Sequence, residues 1–155
     1  MVRAKAGWIT VDGLDATRQA LTLLSSLGVA SCPILLAGVA FGGFNLIDPR
    51  VLQGRFRNPT IVVIGSRPDN RAVKRALVKH FPDWRERWRL IESLGPLRHV
   101  RTVASENPLF YESFGCSTLE ARRILSNWAF VSRLPEPLRV AGLVARGLFP
   151  SEPLA

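Results

Sequence analysis

Two apolar runs limit what this chain can become. Neither Pro33-Ile34-Leu35-Leu36-Ala37-Gly38-Val39-Ala40-Phe41 nor Thr60-Ile61-Val62-Val63-Ile64 contains a charged residue. A strand with one face in water needs a polar residue at every second position. An unbroken apolar run therefore reads as a strand buried on both faces, as in the centre of a parallel sheet. Such a strand requires helices on either side of the sheet, and the surrounding sequence offers them.

Trp8-Ile9-Thr10-Val11 reads as a short strand end, broken by Asp12-Gly13. Asp15 or Thr17 opens a helix whose apolar face holds Ala20, Leu21, Leu24 and Leu27 and which stops at Gly28. After Phe41 the pair Gly42-Gly43 turns the chain toward a short helix near Pro49 to Leu52. The spacing predicts a helix over residues 70–80, with Ala72, Ala76, Leu77 and Val78 inward and Arg71, Lys74, Arg75 and Lys79 outward. Pro82 separates it from a helix over residues 83–94, where Trp84 and Trp88 stand four apart as core residues beside Arg85, Arg87 and Arg89. Residues 97–103 and 109–114 are strand candidates. Ser117 and Glu120 form a capping box for the helix that follows, and a last helix runs from about Glu136 to Arg146. Strands alternating with helices make the class α/β, and 155 residues suit a single domain over residues 1–155.

Composition narrows the function classes. The apolar stretch from Ile34 to Leu46 is interrupted by Gly38, Gly42, Gly43 and Asn45, too short and too broken to span a bilayer. The basic N-terminus has no apolar core behind it, so the expectation is a cytoplasmic protein with no membrane partner. Cys32 and Cys116, with no ligand-like spacing, are expected to be buried reduced thiols. A net charge of +9 favours an acidic partner, of which nucleic acid is the commonest.

Three local patterns carry more. They are Val11-Asp12-Gly13-Leu14-Asp15-Ala16-Thr17; Leu35-Leu36-Ala37-Gly38-Val39-Ala40-Phe41-Gly42-Gly43-Phe44-Asn45 with Asp48 and later Arg67-Pro68-Asp69; and Leu134-Pro135-Glu136-Pro137-Leu138-Arg139-Val140-Ala141. In order and spacing the chain resembles the archaeal endonuclease dU family, relatives of endonuclease V. The resemblance implies a three-layer, RNase H-like mixed sheet. It also implies a Mg²⁺-dependent endodeoxyribonuclease, a hydrolase that cleaves DNA at deaminated bases, notably deoxyuridine, in DNA repair. In such enzymes carboxylates from different strands hold the ion, which activates water and stabilises charge on the phosphate.

On that resemblance Asp12 and Asp15 are the catalytic candidates, and Asp15 and Asp48 the metal candidates. Asn45, Arg67 and Arg139 are the candidates for nucleic-acid contact. Each has a plainer reading: Asp12 as a turn residue, Asp15 and Asp48 as helix caps, Asn45 as part of the glycine turn, Arg139 as the ion-pair partner of Glu136. Two departures from the family pattern point to impaired catalysis. Ala37 stands where the family has an aspartate, and a methyl group cannot ligate a hard cation. The family's preceding strands, with their acidic pair, are expected to be missing ahead of Met1. The Trp8–Val11 strand is then expected either to pair with residues 34–40 or to be covered by a second copy in a homodimer. The alternative to an impaired nuclease is a non-catalytic nucleic-acid-binding or scaffold subunit.

Overall fold

The computed structural model describes residues 3–29 and 31–148. Helix α1 (Ala16–Leu27) leads to strand β1 (Ile34–Ala37) and a small hairpin of β2 (Ala40–Phe41) and β3 (Asn45–Leu46). Helix α2 (Pro49–Phe56), strand β4 (Thr60–Ile64), helices α3 (Asn70–His80) and α4 (Trp84–Glu92), and strands β5 (Arg98–Val100) and β6 (Leu109–Phe114) follow. Helices α5 (Thr118–Asn127) and α6 (Glu136–Leu148) complete the described chain. Four strands form one mixed sheet in the order β1-β4-β6-β5. The two apolar runs meet as expected: β1 lies parallel to β4, with Leu36 opposite Val62. Strand β6 runs antiparallel to β4, and β5 antiparallel to β6.

Alternation along β4 divides the core in two. Ile61 and Val63 join Tyr111, Ala121, Leu125 and Leu138, which brings α5 and α6 onto one face. Val62 joins Leu36, Ala16, Ile47 and Leu52, which brings α1 and α2 onto the other. Strands β1 and β4 are thus covered on both faces, as their unbroken apolarity requires, although β1 lies at the edge of the described sheet and not at its centre. Local signals set the helix ends. Gly28 closes α1 in the left-handed region at φ 65°. Asp69 caps α3 through the amides of Arg71 and Ala72, and the Ser117 hydroxyl accepts from the amide of Glu120. Among the described residues no helix is long and apolar enough to cross a membrane.

Four expectations are corrected. The first apolar run is two strands in two sheets, because Gly38 at φ 83° turns the chain after Ala37. Residues 8–11 form no strand. The nearby amides of Thr10 and Asp12 bond instead to the Asp15 carboxylate and the Gly42 carbonyl, which leaves no ladder. That segment does not pair with β1, so the outer edge of β1 has no strand partner among the described residues. Cys32 is exposed rather than buried. Val78 lies on the outer face of α3, 51% exposed, since it follows Lys74 by four residues.

One buried group stands against the core. Glu112, opposite Val62 in the sheet, is 8% exposed, and its Oε2 has no hydrogen-bond partner. Burial pushes its carboxyl up from 4.5 to about 7. The folded state therefore holds this proton more tightly than the unfolded chain. Stability from this group is full below pH 4.5 and falls as pH rises through about 7. At about 1.4 kcal/mol per unit, the loss by pH 8 is on the order of 3 kcal/mol. Urea unfolding from pH 5 to pH 8 is expected to show this decline in the native chain and a flatter profile in Glu112→Gln. Equal slopes in the two proteins would show that Glu112 is ionised without penalty.

Candidate functional site

The glycine turn between β2 and β3 forces a close approach that positions everything around it. Gly42 and Gly43 have φ of 52° and 83°, a region that side chains disfavour. A Cβ on Gly43 would collide with the Asp12 carboxylate. Asp12, itself left-handed at φ 56°, donates its amide to the Gly42 carbonyl at 2.8 Å. Its Oδ1 accepts from the Phe44 amide at 2.8 Å. The Asp12 loop is therefore seated on the hairpin that follows Ala37.

Asn45, the first residue of β3, is fully buried and joins three segments. Its Nδ2 donates to the Thr10 carbonyl at 2.8 Å and to Asp15 Oδ1 at 2.5 Å. Its Oδ1 accepts from the Ala16 amide at 2.9 Å. Asp15 stands at the N-cap of α1 without bonding to that helix's amides, and the cap comes from Asn45 instead. The Asp15 carboxylate also receives the Thr10 amide and hydroxyl. The Asn45 carboxamide first, then the Thr10 amide, hold the Asp15 carboxyl below its ordinary range. One turn on, the Thr17 hydroxyl donates to the Leu46 carbonyl and accepts from the Asp48 amide. The Asp-Ala-Thr and Gly-Gly-Phe-Asn segments thus interlock residue by residue.

Arg87 seals the junction from behind. It is 6% exposed, and its guanidinium donates to the carbonyls of Asp12, Gly13 and Phe44. Asp83, one helical turn earlier, balances its charge at 3.0 Å, and the Phe81 ring lies under it at 4.5 Å. The sequence placed Arg87 on an open charged face; it is instead a buried clamp. The available signal was Asp83 at i−4, which Arg85 and Arg89 lack.

The other candidates stand apart in role. Asp48 caps α2 through the Arg50 amide and forms an ion pair with the Arg50 guanidinium at 2.7 Å. Burial raises its carboxyl, but the Arg50 hydrogen bonds and charge outweigh this, and the net direction is down. Ala37 ends β1 at an exposed position. Arg67 is exposed in the turn after β4 and forms no ion pair among the described residues. Arg139 is paired with Glu136 at 2.7 Å, and that contact lowers the Glu136 carboxyl. Trp84 and Trp88 are half-buried, with Arg85 over one ring and Lys74 over the other.

These donors do not suit a hard divalent cation as they are arranged. Such an ion takes six or more oxygens, largely carboxylate or water. Asp12 and Asp15 are held by backbone amides and Asn45, and Asp48 is neutralised by Arg50. Among the described residues no group of three His, Cys, Asp or Glu side chains stands close enough to hold one ion.

The family model for endonuclease dU matches residues 1–149. A UPF0215 protein of Thermococcus gammatolerans is 37% identical over 146 residues, covering 94% of this chain and 73% of that one. A UPF0215 protein of Methanothermobacter thermautotrophicus is 38% identical over 146 residues, covering 90% and 68%. In structure, the chain is similar to a protein of unknown function from Archaeoglobus fulgidus, with a TM-score of 0.78 at 24% identity over 92% of this chain and 80% of the other. At that identity the likeness speaks for the fold alone.

Truncating the clamp tests the geometry. Arg87→Met keeps the apolar stem but leaves three carbonyls and Asp83 without their donor. A loss of about 3 kcal/mol in denaturant unfolding is expected. Asn45→Ala, which removes three hydrogen bonds at a fully buried position, is expected to lose a similar amount. A change below about 0.5 kcal/mol in both would mean the junction is held by other contacts.

Proposed function

This chain belongs to the endonuclease dU family, and from that membership we propose that it binds DNA carrying deaminated bases, such as deoxyuridine, with weak or no hydrolysis. The observation that carries the reading is the junction itself. Two motifs characteristic of the resemblance interlock in the hairpin that follows β1, and Ala37 stands where the resemblance implies an aspartate. The finer fold reading is an RNase H-like sheet whose reacting end is the one where β1 and β4 finish. Asp12 and Asp15 then act as positioning residues: they hold the loop and the hairpin in register. Mg²⁺, the cofactor the resemblance implies, would supply water activation and charge neutralisation. The donor set as arranged does not fit that ion.

A second reading is favoured by one observation, the free outer edge of β1. Edge strands offer unpaired amides and carbonyls to another chain, so a second copy pairing there would make the protein a subunit of a homodimer. Sedimentation at micromolar concentration separates the two readings, with a monomer removing the second.

For the first, the native chain is incubated with a uracil-containing duplex and Mg²⁺. Binding without metal-dependent nicking above background is expected, and Ala37→Asp is expected to stay near that level, because the added carboxylate leaves Asp12, Asp15 and Asp48 engaged as before. Efficient nicking by the native chain, lost in a folded Asp15→Asn variant, would overturn the impaired reading.

A further inference from the structure

The outer face of α3 is strongly basic. Arg71, Lys74, Arg75 and Lys79 recur three and four residues apart, so they share one face, and all four are exposed. Helix α3 contains no Asp or Glu, and the Asp69 carboxylate at its start is engaged by the Arg71 and Ala72 amides. None of the four forms an ion pair among the described residues. By contrast Arg50, Arg87, Arg133 and Arg139 are each matched to a carboxylate.

This arrangement works against the helix. Like charges at i, i+4 repel, and a cation in the first turn opposes the helix dipole. The Asp69 cap and the fully buried Leu77 hold α3 in spite of that. A stripe of like charge without internal counter-charges is open to an anion from outside. From Arg71 to Lys79 the helix spans about 12 Å at 1.5 Å per residue, a density of roughly one cation per 3–4 Å. One strand of duplex DNA presents a phosphate about every 3.4 Å of axis. No free aromatic face stands among the four cations: Lys74 itself covers Trp88, and Val78 is the apolar residue between them. The stripe suits phosphates without base stacking, which favours a duplex over a single strand.

We propose that the exposed face of α3, Arg71, Lys74, Arg75 and Lys79, docks the phosphate backbone of duplex DNA. This rests on the nucleic-acid reading above and locates its principal contact.

The test uses the full chain, a fluorescein-labelled 30-base-pair duplex and anisotropy from low to moderate salt. The quadruple variant R71Q/K74Q/R75Q/K79Q is compared with a control of equal charge loss, R18Q/R57Q/R122Q/R123Q, drawn from exposed arginines elsewhere. Circular dichroism establishes that both are folded. The α3 variant is expected to bind roughly 10-fold or more weakly, with the slope of log affinity against log salt reduced by about 3, and the control to stay near the native values. Equal losses in the two variants would overturn the α3 assignment and leave the nucleic-acid reading standing. No binding by the native chain at low salt would overturn both. Tighter binding to phosphatidylserine vesicles than to the duplex would assign the stripe to a membrane surface and overturn the proposal.

Discussion

The carboxamide of Asn45 is the contact on which the site's geometry depends. A fully buried amide side chain leaves a penalty for each polar atom without a partner, and here both ends are engaged. Its three bonds reach the Thr10 carbonyl, the Asp15 carboxylate and the Ala16 amide, so one side chain fixes a loop, a carboxylate and a helix start. Asp or Leu could not replace it. Aspartate has no donor for the Thr10 carbonyl and would repel Asp15, and leucine would leave all three groups unmatched. The glycine turn beside it serves the same end, since Asp12 reaches the Phe44 amide only because Gly43 carries no side chain.

Arg87 extends the logic to a buried charge. A cation at 6% exposure is tolerated only when nearly all its donors are met. Three backbone carbonyls and Asp83 meet them, and these carbonyls belong to the same loop and turn that Asn45 joins. The clamp binds α4 to the Asp12 loop and the hairpin, elements far apart in the chain. The net result is a rigid acidic corner whose carboxylates are already occupied.

Much of the framework was legible because it rests on local rules. Unbroken apolarity marked β1 and β4 as buried on both faces, although β1 stands at the edge of the described sheet; periodicity marked α3, and periodicity with a Ser cap marked α5. The run through Gly38 misled because apolarity continues past the turn, and only the backbone angle ends the strand. Residues 8–11 misled for a different reason: β-branched composition suggests a strand, but a strand needs a ladder, and the neighbouring amides find single partners instead. Asn45 was visible as part of a glycine turn, yet its role as a distant helix cap was not. Arg87 was hidden by its basic neighbours, since nothing local reveals carbonyl partners that lie 43 to 75 residues away. The site's acidic residues were named from the resemblance; what the sequence withheld is that their oxygens are used internally.

That internal use separates two properties that often coincide in phosphodiester chemistry. On the proposed reading, a polyanion is drawn to a surface by cations without a carboxylate partner, and α3 carries four of them. Cleaving the polyanion requires carboxylates free to hold a metal, and Asp12, Asp15 and Asp48 are each bound by amides, Asn45 or Arg50. Restoring one carboxylate at position 37 would add a ligand at an exposed strand end but would not release the other three. On the proposed reading, the barrier to catalysis is a matter of commitment as well as composition. Freeing Asp15 would mean breaking its bonds to the Thr10 amide and hydroxyl and to the Asn45 carboxamide, so any gain in metal affinity would come at the expense of the junction.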